Sequence, residues 1–305
     1  MPEIAAVVCT RDRFPLLRRA VRSLLRQDLE RDRYEVLVVD NGSRDATPGY
    51  LAALDRSGRV RPLREDRPGL SRARNRALAA TAAPLVAFLD DDAEAAPGWL
   101  RALVGAFAAE PRAACVGGPV RLRWTAPPPP WWEPALDEVM SGVDFGPRRA
   151  FVSFPRTPYG TNIAFRSDVF RRLGGFREDL GRKGARLAAG EEAELCLRLE
   201  AAGQGILYEP AASVLHLAAP ERACLDYIRR RAFAHGRSHA LLERAYRGRL
   251  PVLLWGKRAV RSLVRAALSG GFRPLERRDF FFAAGYALEG LRHLWEPHRI
   301  PGDAA

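Results

Sequence analysis

The stretch PLVAFLDDD, residues 84–92, joins a run of apolar residues to three consecutive aspartates. A continuous apolar run of this length is typical of a strand that is covered on both faces of a sheet. Three adjacent carboxylates repel one another, and a chain normally keeps such a group away from the end of a buried strand. The stretch therefore predicts a central strand that ends in an anionic site.

Other apolar runs on both sides of this stretch alternate with segments of helical periodicity. Between the first two runs, Leu17, Val21 and Leu24 recur at helical spacing after Pro15. The alternation predicts an α/β fold, with a mostly parallel, doubly wound sheet and helices on both faces. The expected strands are IAAVVC (4–9), YEVLVVD (34–40), a short segment near Val60, PLVAFL (84–89), AACVGG (113–118), GILYEP (205–210) and SVLHL (213–217), and the expected helices cover 14–27, about 48–56, 70–80 and 191–203.

Aspartates end two different strands of this predicted sheet, at Asp40 and at Asp90. Ligands of such sheets bind beyond the carboxyl ends of the strands. The sequence has no GxGxxG or GxxxxGK[ST] loop, so another account of the site is needed. Mg²⁺ or Mn²⁺ would cancel the repulsion among the aspartates and keep positions open for substrate phosphates. We therefore expect a metal and a nucleotide here, with Asp40 on the base or ribose and the arginines of SRARN (71–75) on phosphate.

The composition divides the chain into two regions of different charge. The chain has 305 residues, is 47% hydrophobic and carries a net charge of +13, which indicates a globular protein. Residues 221–305 hold 17 Lys or Arg against 8 Asp or Glu, and their apolar residues recur at helical spacing. We expect a catalytic domain over 1–220, with a nucleotide-binding part at about 1–120 and an acceptor-binding part at about 121–220, followed by a basic amphipathic helical region over 221–305.

The basic region 221–305 is open to several interpretations. We favour the hypothesis that its helices contact an anionic membrane and bring the site near a lipid-linked acceptor. Packing beside the catalytic domain, a dimer contact, or solvated arginine-rich faces would explain the same amphipathic pattern. Nucleic acid is not an expected partner, because the sequence shows no helix-turn-helix, zinc-finger or RNP signal.

The cysteines and the hydropathy pattern bear on localisation. The four cysteines lie in apolar contexts without CxxC spacing, which favours a reducing compartment over a disulfide framework or a zinc site. No signal peptide is recognised at the start of the sequence, and no apolar run approaches the roughly 18 residues of a membrane span. The expectation is a cytoplasmic protein, peripheral on the inner face of the membrane if the basic region contacts lipid.

Six segments of the sequence occur in a characteristic order and spacing. They are VVCTRDR (7–13), VLVVDNGSRDAT (36–47), PGLSRARNRAL (68–78), VAFLDDDAEAAPGWL (86–100), YGTNIAFRSDVFRRLGGF (159–176) and GEEAELCLRL (190–199). Their order and spacing resemble those of the family 2 glycosyltransferases, and the likeness covers roughly residues 3–240. The resemblance implies a GT-A fold, which is Rossmann-like, and metal-dependent, inverting transfer of a sugar from a nucleoside-diphosphate sugar to a hydroxyl of a glycan, a lipid-linked acceptor or a small molecule.

The resemblance also implies roles for residues on the donor side of the site. The aspartate triplet resembles the DXD region of the family, in which Asp92 would be the direct metal ligand and Asp91 or Asp90 would bind ribose. His216 occupies the position of a metal-binding histidine found in some GT-A enzymes, although a structural role is an equal alternative. The remaining nucleotide contacts implied by position are Thr10, Arg11, Asp40 and Arg74.

On the acceptor side, the resemblance implies a closing loop and a general base. GTNIAF (160–165) resembles the loop that closes on sugar and acceptor, with Asn162 as its polar contact. GEEAEL (190–195) stands in the place of the GED motif of the family, which assigns the base to Glu192. Glutamate replaces the commoner aspartate here, and Glu191 and Glu194 are adjacent, so the choice within 191–194 stays open.

Two other functions are compatible with parts of this pattern. A nucleotidyltransferase also joins a nucleotide-binding sheet to acidic metal ligands, but it needs a basic, glycine-rich loop after the first strand, and CTRDRFP (9–15) is poor for that purpose. A non-catalytic nucleotide-sugar-binding protein would be expected to lose the acidic cluster or the base, and both are present in the sequence.

Overall fold

The computed structural model describes residues 1–180, 190–247, 252–269 and 271–292, which belong to two compact units. The first unit contains both sheets, and we call it the sheet unit. Its described residues are 1–123, 141–180 and 191–217. The second, which we call the helical unit, contains 124–140 and the described residues from 218 onward, together with residue 190.

The sheet unit is built around an eight-stranded mixed sheet. The order of its strands is β3-β2-β1-β4-β9-β6-β10-β8, and β5, β11 and β7 form a second, three-stranded sheet. The strands are β1 (Ile4–Thr10), β2 (Tyr34–Asp40), β3 (Arg61–Arg64), β4 (Leu85–Asp90), β5 (Ala93–Ala95), β6 (Ala113–Gly117), β7 (Val120–Trp124), β8 (Ala150–Val152), β9 (Asn162–Arg166), β10 (Gly205–Tyr208) and β11 (Val214–Ala218). The helices are α1 (Phe14–Leu24), α2 (Thr47–Arg56), α3 (Leu70–Leu78), α4 (Trp99–Ala109), α5 (Ser167–Leu173) and α6 (Glu191–Ala201).

Helices cover the central sheet on both faces. Alternate side chains of β1 point to opposite faces, so Ile4 and Val8 belong to one hydrophobic cluster and Ala5 and Val7 to another. Residues of α1 and α4 complete the first cluster, and residues of α3, α5 and α6 complete the second. The prediction of an α/β fold with a large central sheet and helices on both faces is therefore confirmed.

The direction of the strands departs from a purely parallel arrangement. Strands β3, β2, β1 and β4 are parallel to one another, as the alternation of strands and helices predicts. Strand β9 then lies antiparallel between β4 and β6, and β8 is antiparallel to β10 at the edge. An apolar run does not encode strand direction, so the sequence pattern predicts β4 correctly but gives no sign of its antiparallel neighbour.

The register of the parallel strands positions the candidate site. Thr10 of β1 pairs with Asp40 of β2, and Cys9 pairs with Asp90 of β4. The three strands therefore reach the same edge of the sheet with their carboxyl ends in line. Residues that directly follow these strands therefore lie close together in space, although they are far apart in the sequence.

The helical unit contains three long helices, α7 (Leu225–Arg247), α8 (Val252–Leu268) and α9 (Pro274–Arg292), and a short 3-10 helix over Pro134–Met140. Helices α7 and α9 approach closely because glycines occupy their crossing. A Cβ atom on Gly236 would lie 2.0 Å from the carbonyl oxygen of Phe282, and one on Gly285 would lie 2.3 Å from that of Phe233. The C-terminal helices expected from the sequence are confirmed. None of the described helices is long and apolar enough to cross a membrane.

Candidate active site at the carboxyl edge of the central sheet

Asp91 and Asp92 lie just beyond β4 and are 5% and 4% exposed. The Oγ1 of Thr10 donates a hydrogen bond of 2.8 Å to Asp91. One guanidinium nitrogen of Arg13 lies 2.6 Å from Asp91 Oδ1, and the other lies 2.6 Å from Asp92 Oδ2. On its other oxygen, Asp92 lies 3.2 Å from His216 Nε2. The repulsion within the aspartate triplet is thus relieved in the free protein by an arginine from the segment that follows β1.

The two buried aspartates differ in their pKa values. Burial raises the pKa of Asp91 to about 7, although the charge of Arg13 opposes the rise. Burial would also raise the pKa of Asp92, but hydrogen bonds and charge from His216 and Arg13 outweigh it and hold the pKa well below its usual range. Asp92 is therefore the firmly ionised carboxylate of the pair.

Asp92 and His216 have the chemistry of a divalent cation site. His216 lies on β11, which pairs with β5 directly after the triplet. Asp92 Oδ1 and His216 Nε2 are 3.2 Å apart. This spacing suits two ligands of one octahedral ion with bonds of about 2.0–2.1 Å. Among the described residues, no group of three His, Cys, Asp or Glu side chains forms a complete metal site. The two residues fit a Mg²⁺ or Mn²⁺ ion whose other ligands come from a diphosphate and water.

The side of the site at β2 is organised by Asp40 and Asn41, both buried. Asp40 accepts a hydrogen bond of 2.8 Å from the backbone N–H of Ser43, which turns the chain away from the strand. The Asn41 amide donates to the carbonyls of Glu65 and Arg67 and so fixes the loop that leads to α3. Arg11 has a side chain that is 45% exposed and lies near Asp12. Of the expected nucleotide contacts, Thr10 and Asp40 border the acidic cluster, and Arg11 lies at the surface.

Arg74 is buried and connects the aspartate triplet to helix α6. Its guanidinium lies 3.6 Å from Asp90 Oδ1 and 3.0 Å from Glu191 Oε1. Phe176 and Phe88 flank it, with ring centroids 5.3 and 5.7 Å from the guanidinium carbon. This side chain is only 2% exposed and is paired with the protein's own carboxylates, and the expected contact with a nucleotide or phosphate stays a prediction. Removing one partner would leave an uncompensated buried charge, at a cost of about 3–5 kcal/mol.

Gly160 is the close neighbour that allows Arg74 to take this position. A Cβ atom on residue 160 would lie 2.3 Å from the nearest guanidinium nitrogen. The Gly160 backbone also contributes directly, because its carbonyl accepts a hydrogen bond of 3.4 Å from Arg74 and its N–H donates one of 3.2 Å to Glu192. The loop GTNIAF thus contacts both Arg74 and Glu192 through a single glycine.

Glu191 and Glu192 begin α6, where the helix dipole favours negative charge. Burial and the adjacent charge of Glu192 raise the pKa of Glu191 to about 7, although Arg74 opposes the rise. Burial opposes ionisation of Glu192 too, but the charge of Arg74 and hydrogen bonds from backbone N–H groups lower its pKa below the ordinary value. The buried Oε2 of Glu192 has no hydrogen-bond partner among the described residues. Glu192 is therefore the ionised member of the pair, with one oxygen that no donor among the described residues satisfies.

Asn162, the expected polar contact to sugar or acceptor, has protein partners for both atoms of its amide. Its side chain is fully buried, and its oxygen accepts a hydrogen bond of 2.8 Å from Trp99 Nε1. Its amide nitrogen donates to the carbonyls of Pro119 and Ala212. The neighbouring Thr161 faces the triplet instead, with its Oγ1 2.8 Å from Asp90 Oδ2. The Asn162 amide therefore holds protein segments together, and its expected role as a polar contact to sugar or acceptor stays a prediction.

Arg13 and Thr161 are contacts of the acidic cluster that the sequence reasoning missed. Both lie inside segments that carry the family resemblance, VVCTRDR and YGTNIAF. No local pattern pairs them with aspartates, because Arg13 is 78 residues from Asp91 and Thr161 is 71 residues from Asp90. Only the strand register brings these partners together.

The comparison with known proteins places the chain in a family. The family model "Glycosyl transferase family 2" matches residues 5–174, which is more than half of the chain. The chain is a family 2 glycosyltransferase. The matched segment contains β1 to β4, the aspartate triplet and the GTNIAF loop.

Several relatives of this family 2 glycosyltransferase carry transferase names. The chain is 31% identical over 250 residues to the glucosyl-dolichyl phosphate glucuronosyltransferase of Haloferax volcanii, covering 80% of this chain and 78% of the relative. It is 32% identical to the succinoglycan biosynthesis protein ExoM of Rhizobium meliloti, covering 77% and 73%. A pre-mycofactocin glycosyltransferase of Mycobacterium tuberculosis is 33% identical, but the match spans only 38% of that protein. These relatives support the prediction that the chain is a hexosyltransferase-type enzyme.

Solved structures share the fold of this glycosyltransferase. The mannosyltransferase PcManGT from Pyrobaculum calidifontis, in complex with GDP-Man and Mn²⁺, has a TM-score of 0.64 at 20% identity, covering 95% of this chain and 87% of the other. GalNAc-T7 with UDP, GalNAc and Mn²⁺ has a TM-score of 0.56 at 16% identity, covering 79% and 51%. At such identities the likeness shows the fold alone. The predicted GT-A fold is confirmed.

Proposed function

We propose that this glycosyltransferase moves a sugar from a nucleoside-diphosphate sugar to a hydroxyl acceptor with inversion at the anomeric carbon, in a reaction that needs Mg²⁺ or Mn²⁺. The observation that carries the proposal is the position of Arg74. It pairs on one side with Asp90 of the triplet and on the other with Glu191, the neighbour of Glu192. The donor end and the acceptor end of the site are thus held together by one buried side chain.

On the donor side, Asp92 and His216 would hold the cation. When bound, the cation supplies positive charge that stabilises the departing nucleoside diphosphate. Thr10 and Arg13 hold Asp91 and Asp92 in place by hydrogen bonds and ion pairs. Asp40, at the end of β2, offers a carboxylate to the base or ribose of the nucleotide.

On the acceptor side, Glu192 acts as the general base. Its Oε2 accepts the proton of the acceptor hydroxyl, and the hydroxyl oxygen forms a bond to the anomeric carbon. The bond between that carbon and the diphosphate oxygen breaks, and its electron pair leaves with the diphosphate. A single displacement of this kind inverts the configuration and needs no covalent bond between enzyme and sugar.

The names of the relatives suggest a class of acceptor. The Haloferax volcanii relative is named for transfer to glucosyl-dolichyl phosphate, a lipid-linked sugar. The PcManGT and GalNAc-T7 structures contain GDP-Man and UDP, respectively, each with Mn²⁺. We propose a lipid-linked or glycan acceptor and a UDP- or GDP-linked donor. The alternatives of a nucleotidyltransferase and a non-catalytic binder are not favoured, since the family is that of glycosyltransferases and the Oε2 of Glu192 has no hydrogen-bond partner among the described residues.

A screen of nucleotide sugars tests this function. The full chain is incubated with UDP-glucose, UDP-glucuronic acid or GDP-mannose and Mn²⁺ or Mg²⁺, and release of the nucleoside diphosphate is measured. At least one donor is expected to turn over, and EDTA is expected to lower its rate at least roughly tenfold. NMR of the released or transferred sugar is expected to show inverted anomeric configuration. Retained configuration, or no binding of any nucleotide sugar, would overturn the proposal.

We also propose that the basic region 221–305 contacts an anionic membrane, with the enzyme peripheral on the cytoplasmic face. Helix α8 supports this proposal. Leu253 and Leu268 are 82% and 84% exposed, and they continue a stripe through Val260 and Val264 at spacings of seven and four residues. Lys257 lies on the same face as this stripe, and α8 contains no Asp or Glu. Co-sedimentation with anionic vesicles and not with neutral ones is the expected result, and equal sedimentation with both would contradict it.

A further inference from the structure

A cavity of about 400 Å³ lies inside the helical unit, and none of the residues assigned to the proposed reaction lines it. Its walls come from α7, α8, α9 and the 3-10 helix Pro134–Met140, all of which belong to this unit. The volume lies in the range of sites that hold a small organic ligand.

The walls of this cavity are strongly basic. Helix α8 contributes three of the arginines, Arg258, Arg261 and Arg265, which recur at spacings of three and four residues and so share one face. The acidic side chains on the walls are Glu138 and Asp279. The full set of wall arginines is Arg231, Arg258, Arg261, Arg265 and Arg278.

The arginines on the cavity walls differ in whether a carboxylate of the protein already neutralises their charge. Arg278 donates to the carbonyl of Ala135 and lies 2.6 Å from Asp279 and 3.8 Å from Glu138, so it pairs with both acidic groups of the walls. In the described part of the chain, Arg261 and Arg265 form no ion pair with a carboxylate. The α8 wall of the cavity therefore presents guanidinium charge that an anion could neutralise.

Part of the lining of the cavity is aromatic. Trp255 and Phe282 pack with ring centroids 5.1 Å apart, and the guanidinium of Arg258 lies 4.4 Å from the Trp255 ring. His235 packs against Phe282, and burial lowers its pKa well below the ordinary value, so it is neutral at pH 7. The positive charge of the cavity thus comes from arginines, beside a surface that suits an apolar group.

We propose that this cavity binds a phosphate ester or diphosphate whose phosphate oxygens contact Arg258, Arg261 and Arg265, with an apolar portion against Trp255 and Phe282. The planar guanidinium group matches phosphate oxygens in geometry as well as charge. Such a ligand has two sources, the headgroup of a lipid and a soluble phosphate compound, and the chemistry of recognition is the same for both. The inference does not depend on the proposed transfer reaction.

Calorimetric titration of the full chain with decyl phosphate and with inorganic pyrophosphate tests this site. EDTA is present throughout, so that a metal ion does not recruit either probe to the aspartate triplet. Arg261→Gln and Arg258→Gln are each expected to weaken binding about 10-fold or more, since a hydrogen bond to a charged group contributes about 1.5–3 kcal/mol. Lys257→Gln is the matched control, because it removes one charge from the same helix at a residue that does not line the cavity.

The results of these titrations distinguish a lipid headgroup from a soluble phosphate compound, and they also show whether the cavity binds phosphate at all. Tighter binding of decyl phosphate identifies a lipid-like ligand, and equal or tighter binding of pyrophosphate identifies a soluble one. The proposal is overturned if neither probe binds below about 1 mM, or if Lys257→Gln weakens binding as much as Arg261→Gln. Hydrolysis of the nucleotide sugar by Arg261→Gln is expected to match that of the unmodified enzyme, so a failure here is distinct from a failure of the proposed function.

Discussion

Replacing Glu192 with glutamine is expected to lower the turnover number for sugar transfer by about 10²–10⁴-fold, the usual contribution of a general base. The amide keeps the shape of the side chain and can still accept the hydrogen bond from the Gly160 N–H. The amide is uncharged and is not basic enough to accept a proton from the acceptor hydroxyl. The rate of nucleoside diphosphate release under saturating donor and acceptor measures the effect.

Donor binding distinguishes loss of the base from loss of the site. The affinity of Glu192→Gln for the nucleoside diphosphate with Mn²⁺ is expected to stay within about 2-fold, since Asp40 and Asp92 are untouched. Glu192→Asp is the matched variant, because it retains a carboxylate and shortens the side chain to that of the commoner family residue. It is expected to keep more activity than the glutamine variant. If Glu192→Gln retains more than about a tenth of the rate, the base lies elsewhere, and Glu191→Gln becomes the next variant.

The second large effect is expected for Asp92→Asn. This change removes the charge that pairs with Arg13 and His216 and would hold the cation. A loss of roughly 3–4 kcal/mol of transition-state stabilisation corresponds to about 10²–10³-fold in kcat/KM. The shift in Tm that Mn²⁺ and nucleoside diphosphate produce together in the unmodified enzyme is expected to disappear.

Asp66→Asn provides the control for this second variant. Asp66 follows β3, its side chain is 76% exposed, and its ion pair with Arg64 is at the surface. Such pairs contribute at most about 1 kcal/mol to the free energy of unfolding, so neither activity nor the Mn²⁺ response is expected to change. An Asp92→Asn enzyme that still responds to Mn²⁺ like the control would show that the cation is held by other residues.

The first half of the fold could be predicted because its signals are local. The apolar runs at 4–9, 34–40 and 84–89 coincide with β1, β2 and β4 to within a residue or two. Helix α4 and strand β9 were not predicted as such, although both contribute to the core. A short apolar segment such as NIAFR is compatible with a strand of either direction, and its pairing is decided by the whole sheet.

The sequence predicts the position of those site residues that directly follow the parallel strands. Asp40 and Asp90 could be placed at one edge because parallel strands end together, and their register confirms that geometry. The roles expected for Arg74 and Asn162 depended on their being accessible. Both are buried and bonded to protein groups, and burial of a polar side chain is a tertiary property that spacing in the sequence does not reveal.

The position of β9 has a consequence for how the chain is made. The ribosome completes β4 and β6 before β9, although β9 separates them in the sheet. Until residues 162–166 have been synthesised, β4 has β1 on one side and an unpaired row of backbone N–H and C=O groups on the other. Open edges of this kind are templates for pairing with other chains. Nascent or truncated chains that stop before β9 therefore carry the strand of the aspartate triplet with an aggregation-prone edge, which only a later segment of the same molecule closes.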